Sequence, residues 1–271
     1  SVSAAQLAEL MVGASLKRPD REGRKRGPVV LALTGLSAPA PGRFGTALSD
    51  IRLTVEGGEI VGIGGVAGNG QDELLGALSG EMPVGPRMIE LEGEDIGTLG
   101  PVARRRLGLL AAPEERLGHA AAPDMSLTEN AALTGWMREP MLRRGFLDWQ
   151  SARGFAAKVI ESFDVRTPGP GTAARALSGG NLQKFVSGRE VLQRPRVLVV
   201  NQPTWGVDAA AAAAIRQALI DLARGGAGVV VITQDLDEIL ELADRFAALN
   251  AGRLTPPVPT EGLTMERIGL M

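Results

Sequence analysis

Apolar runs of strand length alternate with helical patterns along most of this chain. The apolar runs lie at 29–33, 51–55, 59–64, 88–91, 107–112, 197–200, 229–233 and 246–250, and helical patterns lie at 102–106, 209–223 and 236–242. An uninterrupted apolar run of this length is typical of a strand that is buried on both faces. Because strands that alternate with helices form βαβ units, the pattern predicts an α/β fold.

One long stretch, from about residue 117 to 185, lacks strong strand signals and carries helical patterns at 126–133 and 148–163. We interpret it as a helical subdomain inserted into the sheet domain. The predicted organisation is a linker over 1–28, a β part with the core's glycine loop over 29–114, the helical subdomain over 115–185, the rest of the core over 186–254 and a tail over 255–271.

The two ends of the chain resemble each other. Residues 4–13 carry apolar side chains at helical spacing, and residues 264–271 again lead from small polar residues into an apolar ending that contains methionine. This similarity indicates that the chain is one period of a longer repeat. The charged, proline-containing segment 17–27 is typical of a solvated linker.

Composition narrows the classes of function. The formal net charge is −2, which offers no basic surface for nucleic acid, so no nucleic-acid partner is expected. Cysteine is absent and His119 is the only histidine, so we expect no metal site built from these residue types. No apolar run approaches the roughly 18 residues of a membrane span, and membrane association is therefore expected only through a partner.

A glycine loop follows the apolar run at 59–64 and leads directly into a helical pattern, which is the arrangement of a phosphate-binding P-loop. The candidate nucleotide-binding residues of this loop are Gly65, Gly68, Asn69, Gly70, Gln71 and Asp72. A working P-loop needs a lysine and a hydroxyl residue where this chain has Gln71 and Asp72. We expect Asp72 to cap the helix and to compete for the N–H groups that a phosphate would use.

A second phosphate motif begins at Ser178, where a hydroxyl and two glycines open a helix. The sequence Leu-Ser-Gly-Gly-Asn at 177–181 looks like the signature motif of ATP-binding-cassette (ABC) ATPases. The sequence at 197–208, VLVVNQPTWGVD, resembles their Walker B strand and D-loop. The family carries two carboxylates and, in the later switch region, a histidine, where this chain has Asn201, Gln202 and Gln234.

The resemblance implies a P-loop NTPase of the ABC type, with a mixed sheet core, an inserted helical subdomain and an antiparallel β part. ABC halves pair head to tail, so the signature residues Ser178, Gly179, Gly180, Asn181 and Gln183 would contact ATP and Mg²⁺ bound to the opposite half, and Asp208 would belong to the D-loop at that seam. No catalytic residue is expected in this half's own site, which would bind ATP weakly or not at all. Asn201 and Gln202 would make the family's metal-holding and water-activating pair neutral, and Gln234 cannot take up a proton as the family's histidine can.

The motif combination is similar to the second ATPase half of bacterial importers for simple sugars and nucleosides. Residues 1–28 would then be the linker and tail of a missing first half of the same polypeptide. The other partners implied are transmembrane permease subunits and, indirectly, a solute-binding protein. The place implied is the cytoplasmic face of the inner membrane, as a peripheral protein.

Several alternatives stay open. Phe44 would stack on adenine or serve surface or core packing, and Glu114, Glu115 and Arg116 would contact the permease or form a solvated turn. The chain as a whole could instead be a weak ATPase with unconventional ligands, such as Asp72 for Mg²⁺, or an adaptor that uses no nucleotide.

Overall fold

The computed structural model describes residues 23–269, so the predicted helix at 4–13 lies outside the described residues. The strands are β1 (Val29–Ala38), β2 (Leu48–Glu56), β3 (Ile60–Gly64), β4 (Ile89–Leu91), β5 (Glu94–Asp95), β6 (Leu109–Ala112), β7 (Leu142–Arg143), β8 (Phe146–Leu147), β9 (Val197–Asn201), β10 (Gly228–Thr233), β11 (Arg245–Asn250), β12 (Arg253–Leu254) and β13 (Val258–Pro259). The helices are α1 (Gln71–Ser79), α2 (Pro101–Leu107), α3 (Leu127–Gly135), α4 (Trp149–Ser162), α5 (Gly179–Leu192), α6 (Ala209–Arg224), α7 (Leu236–Leu242) and α8 (Met265–Ile268), with a 3₁₀ turn at Ala174–Ala176.

The central sheet has the strand order β12-β11-β3-β10-β9-β6, and β13 pairs with β11 outside this path. The five strands β11, β3, β10, β9 and β6 run parallel, whereas β12 and β13 run antiparallel to β11. Every residue of β3, β9 and β10 is buried, which is why these strands appear in the sequence as continuous apolar runs. The predicted mixed sheet core is confirmed.

The register of the central strands brings three polar segments together. Thr233 at the end of β10 lies opposite Gly64 at the end of β3, and Ile232 lies opposite Asn201 at the end of β9. Because the carboxyl ends of these parallel strands share one edge, the loops that follow them meet there. This edge carries the glycine loop, the Asn201–Gln202 pair and Gln234.

A second sheet, of order β2-β1-β4-β5, is antiparallel throughout and packs its buried face into the same core as β3 and α1. Buried and exposed residues alternate along most of β2, as expected for a strand with one face toward the core. The predicted antiparallel β part is thereby confirmed.

The segment between β6 and β9 is mainly helical, as the sequence indicates. Its helix α5 continues to Leu192, past the predicted subdomain boundary at 185, and buries most of its length between the two parts of the chain. The hairpin β7–β8 was not predicted. Within residues 23–269, no helix combines the length and apolar character needed to cross a bilayer.

Candidate functional site

The glycine loop between β3 and α1 is closed by the side chain of Gln71. Its Oε1 accepts a hydrogen bond from the Asn69 amide at 3.0 Å, and its Nε2 donates to the Val66 carbonyl at 2.9 Å. Gly68 and Gly70 hold positive φ angles of 82° and 110°, which the tight path of the loop requires. Gln71 therefore lies across the loop and occupies the Asn69 N–H, a donor that a bound phosphate would use.

The same loop is tied from outside to two neighbouring segments. Thr46 donates its hydroxyl to the Gly68 carbonyl at 2.8 Å, and Asn69 Oδ1 accepts from the Ala251 amide at 2.8 Å. Sequence reasoning missed Thr46, because a threonine in a loop before a strand carries no distinctive signal. Phe44 lies two residues earlier and is 96% exposed, so core packing is excluded for it and the adenine contact stays a prediction.

Asp72 does not cap helix α1, so that prediction is wrong. The N-cap residue is Gly70, and no side chain bonds the first amides of α1. The Asp72 Oδ1 atom instead accepts a hydrogen bond from Asn201 Nδ2 at 3.0 Å, across the gap between α1 and the end of β9. The reason is that an amide at position 201 supplies a donor, where a second carboxylate would repel Asp72.

The positions at which the glycine loop, the Walker B strand and the switch region differ from the family pattern surround one small cavity of about 40 Å³. Its lining includes Gly68, Gln71, Asp72, Glu114, Asn201, Gln202 and Gln234. A water molecule takes about 30 Å³ of liquid volume, so the cavity is on the scale of one or a few waters. The sequence therefore identified residues that the fold does bring together.

The side chains around this cavity do not fit a magnesium-bound triphosphate. Gln202, in a left-handed backbone conformation with φ of 52°, is buried, and its Oε1 accepts from the Thr233 hydroxyl at 3.2 Å. Burial and the negative charge of Asp72 raise the pKa of Glu114, which weakens it as a ligand for a cation. Across residues 23–269, no group of three or more histidine, cysteine or acidic side chains is arranged to hold a metal ion.

The signature segment, by contrast, exposes Ser178 and Gly179, although Gln183, predicted to contact the same ATP, is buried. Ser178 is the exposed N-cap of α5, and its Oγ accepts a hydrogen bond from Asn181 Nδ2 at 2.9 Å, which leaves its proton free to donate. Asn181 is fixed in turn because its Oδ1 accepts from the Arg166 amide at 2.9 Å. The first amides of a helix have no partner within it and lie at its positive end, so this surface suits an anion.

The D-loop follows β9 and is held against the signature helix. Gln183 donates from Nε2 to the Pro203 carbonyl at 2.9 Å, and Asp208 caps α6 by accepting from the Ala211 amide at 2.9 Å. Arg116, one of the predicted permease-contact residues, donates to Gln183 and to the Trp205 carbonyl. Its guanidinium is thus engaged within this chain. Permease contact by Glu114, Glu115 and Arg116 stays a prediction.

Glu238 supports the D-loop from α7, and its buried carboxyl makes the stability of the fold depend on pH. Its Oε1 accepts from the Thr204 hydroxyl at 2.7 Å, and burial raises the pKa of its carboxyl. Because the pKa of Glu238 is higher in the folded state, the protonated carboxyl stabilises the fold. This contribution is fully present below the unfolded pKa of about 4.3 and is lost as pH rises through the folded pKa.

We expect Glu238→Gln to stabilise the chain by about 1 kcal/mol at pH 8, because it keeps the acceptor and removes a buried charge. The gain should disappear toward pH 4, which chemical denaturation at a series of pH values measures. Asp237→Asn is the control, since Asp237 is exposed in the same helical turn. A gain that is constant with pH would contradict the assignment.

The sequence of the chain is similar to those of known ABC transporter proteins. The family profile for ABC transporters matches residues 48–205. The chain is 40% identical over 272 residues to the glucose import ATP-binding protein TsgD13 of Haloferax volcanii, covering 99% of this chain and 49% of that protein. It is 36% identical over 267 residues to the nucleoside import ATP-binding protein NupA of Lactococcus lactis, covering 98% and 53%. The chain thus spans about half the length of these relatives.

Solved structures of similar fold include a dimeric ATP-binding cassette in a post-hydrolysis state, bound to ADP and phosphate. Its TM-score is 0.73 at 20% identity, with 86% of this chain and 100% of that chain covered. The ATP-binding subunit of an ABC transporter gives a TM-score of 0.70 at 21% identity, covering 89% and 94%. At this level of identity the likeness shows the fold alone.

Proposed function

Because this chain belongs to the ABC transporter family, as the match over residues 48–205 shows, we propose that it is an ATPase half whose own site does not hydrolyse ATP. Its signature motif would complete the ATP site of a partner half. The observation that carries the proposal is a contrast within one chain: Gln71 closes the chain's own glycine loop, whereas Ser178 and the amides beside it stay open.

The lengths and names of the relatives support the rest of the proposal. They are import ATP-binding proteins about twice as long as this chain, which fits one half of a fused ATPase, and we propose the second half because the motif combination is similar to that half. The assembly would act with permease subunits, and indirectly with a solute-binding protein, at the cytoplasmic face of the inner membrane. The relatives' names include glucose, nucleoside and guanosine import, and we propose simple sugars or nucleosides as the transported solutes.

In this proposal the chain's own residues contribute mainly by holding hydrogen-bond donors in fixed positions at the seam with the partner. Ser178 donates its hydroxyl, and the amides that open α5 donate their N–H groups, toward a phosphate presented by the partner. Asp208, as the cap of α6, fixes the D-loop at the same seam. ATP and Mg²⁺ would belong to this shared site, and the partner would supply the groups that hold the metal and activate water.

The test is calorimetric titration of the 271-residue chain with ATP and Mg²⁺, with a hydrolysis assay on the same sample. We expect weak or undetectable binding and no turnover. The double variant Gln71→Lys, Asp72→Thr should bind ATP at least about tenfold more tightly, because it opens the loop and adds a charge-assisted contact.

The single variant Asp72→Thr is the matched control, since it leaves Gln71 across the loop and should gain less affinity. Turnover by the unaltered chain would overturn the proposal in favour of an ATPase with unconventional ligands. No gain in the double variant would show that loop closure by Gln71 does not limit binding.

A further inference from the structure

Arg116 lies between the end of β6 and the helical subdomain, and its side chain reaches two other segments. Its Nε donates to Gln183 Oε1 at 2.9 Å, and its Nη2 donates to the backbone carbonyl of Trp205. Gln183 belongs to the signature helix α5 and Trp205 belongs to the D-loop. One guanidinium therefore joins the two elements that the proposed function places at the partner seam.

Gln183 extends this connection. Its Oε1 accepts from Arg116, and its Nε2 donates to the Pro203 carbonyl, two residues before Trp205. Both ends of the Gln183 amide are thus used, and the glutamine is only 2% exposed. The hydrogen bonds close a ring through Arg116, Gln183 and the Pro203–Trp205 backbone, so that neither the helix nor the loop can shift without breaking one of them.

Two glycines leave space for the guanidinium. A Cβ atom on Gly179 would lie 2.9 Å from Arg116 Nη1, and one on Gly206 would lie 3.3 Å from Nη2. Gly179 is in the signature motif, and Gly206, with φ of 65°, is in the D-loop. The planar guanidinium therefore packs against Gly179 and Gly206. It also donates hydrogen bonds to Gln183 and Trp205, which lie near these glycines.

We propose that Arg116 is a positioning residue that locks the signature motif and the D-loop into one unit for presentation to the partner half. This inference rests on the proposed function, because a fixed arrangement of the signature motif and the D-loop matters only if a partner half uses both. Donors to a phosphate act only when they are held in place, and a displacement of about 1 Å can cost two orders of magnitude in rate.

The first experiment compares Arg116→Ala with Arg138→Ala in the assembled transporter, measuring kcat and KM for ATP. Arg138 is the matched control because it donates to the backbone carbonyls of Gln193 and Arg194 at 3.3 and 3.0 Å, just beyond the other end of α5. We expect Arg116→Ala to lower kcat about tenfold and to change KM by less than about twofold. Arg138→Ala should leave both constants within about twofold.

Substitution of Arg116 by lysine tests whether the residue acts through the planar geometry of its guanidinium or through its charge alone. Arg116→Lys keeps the charge but lacks the fixed geometry that reaches Gln183 and Trp205 together, so it should lose rate as alanine does. Full activity of Arg116→Lys would overturn the positioning role in favour of charge alone. Equal effects of Arg116→Ala and Arg138→Ala on kcat would overturn the proposal, because they would show that both residues only stabilise the helical subdomain.

The second experiment observes the D-loop directly. The chain has three tryptophans, so Trp136→Phe with Trp149→Phe leaves Trp205 as the sole reporter. In this background Arg116→Ala should lower the fluorescence anisotropy of Trp205, and unchanged anisotropy would overturn the inference. A Ser178→Arg variant that keeps the full ATPase rate in the transporter would instead overturn the proposed function, so the two failures are distinguishable.

Discussion

Ser178→Arg is expected to lower the ATPase rate of the assembled transporter by at least about 100-fold while the chain stays folded. Ser178 is exposed, and within residues 23–269 its side chain accepts a single hydrogen bond, from Asn181, so a larger residue there has little to disrupt within the chain. At the proposed seam, however, arginine would fill the space into which the partner's phosphate must enter. The measurement is ATP turnover of the reconstituted complex, with thermal unfolding of the same preparation.

The control is Glu161→Arg, which places the same side chain on an exposed face of α4 in the same subdomain. It should leave the rate within about twofold, as expected of a surface substitution. Ser178→Ala provides a graded comparison, since it removes only the hydroxyl donor and should cost about tenfold. If Ser178→Arg retained the full rate, the signature segment would have no part in a partner's site.

The sheet could be predicted because its strands are buried on both faces. The run at 60–64 contains only apolar residues and glycine, and the run at 197–201 is apolar up to its last residue, Asn201, so a continuous run was enough to identify them. The hairpin β7–β8 gave no such signal, since each strand has two residues and all four are exposed. Its two-residue turn, Arg144–Gly145 with φ of 53° and 85°, shows only in the backbone.

The composition of the site could be predicted, but the directions of its side chains could not. The motif spacing placed Gln71, Asp72 and Asn201 at one edge of the sheet. Successive residues at a helix start point about 100° apart, and sequence does not tell which of two polar neighbours turns back over the loop. Gln71 has the longer side chain with both a donor and an acceptor, and it closes the loop, which leaves Asp72 for Asn201.

The same limit applies to three consecutive arginines on α2. Arg104 is fully buried, Arg105 donates to Glu190 at 2.7 Å, and Arg106 is exposed with its guanidinium 5.2 Å from the Trp136 ring centroid. As a string of letters they suggest one basic surface. Helical geometry instead sends them in three directions, and only one of them enters the core.

Arg104 acts as a cap for the buried end of α1. It donates to the carbonyls of Leu99 at 2.8 Å, Leu78 at 2.9 Å and Gly97 at 2.8 Å, and also to the carbonyl of Ala77. Ala77 and Leu78 lie in the last turn of α1, where carbonyls have no partner within the helix and the dipole is negative. Burial lowers the pKa of Arg104 to about 10, so it still carries its charge at neutral pH.

We therefore expect Arg104→Ala to destabilise the chain by about 4 kcal/mol or more, because it leaves three buried carbonyls and one partly buried carbonyl without a donor, as well as a cavity. Arg106→Ala, on the same helix, should cost less than about 1 kcal/mol, the value of an exposed cation–π contact. Urea denaturation of both variants measures the difference. Because the carbonyls need donors rather than bulk, Arg104→Met should restore little of the loss, and near-native stability of that variant would show that packing alone holds α1 to the core.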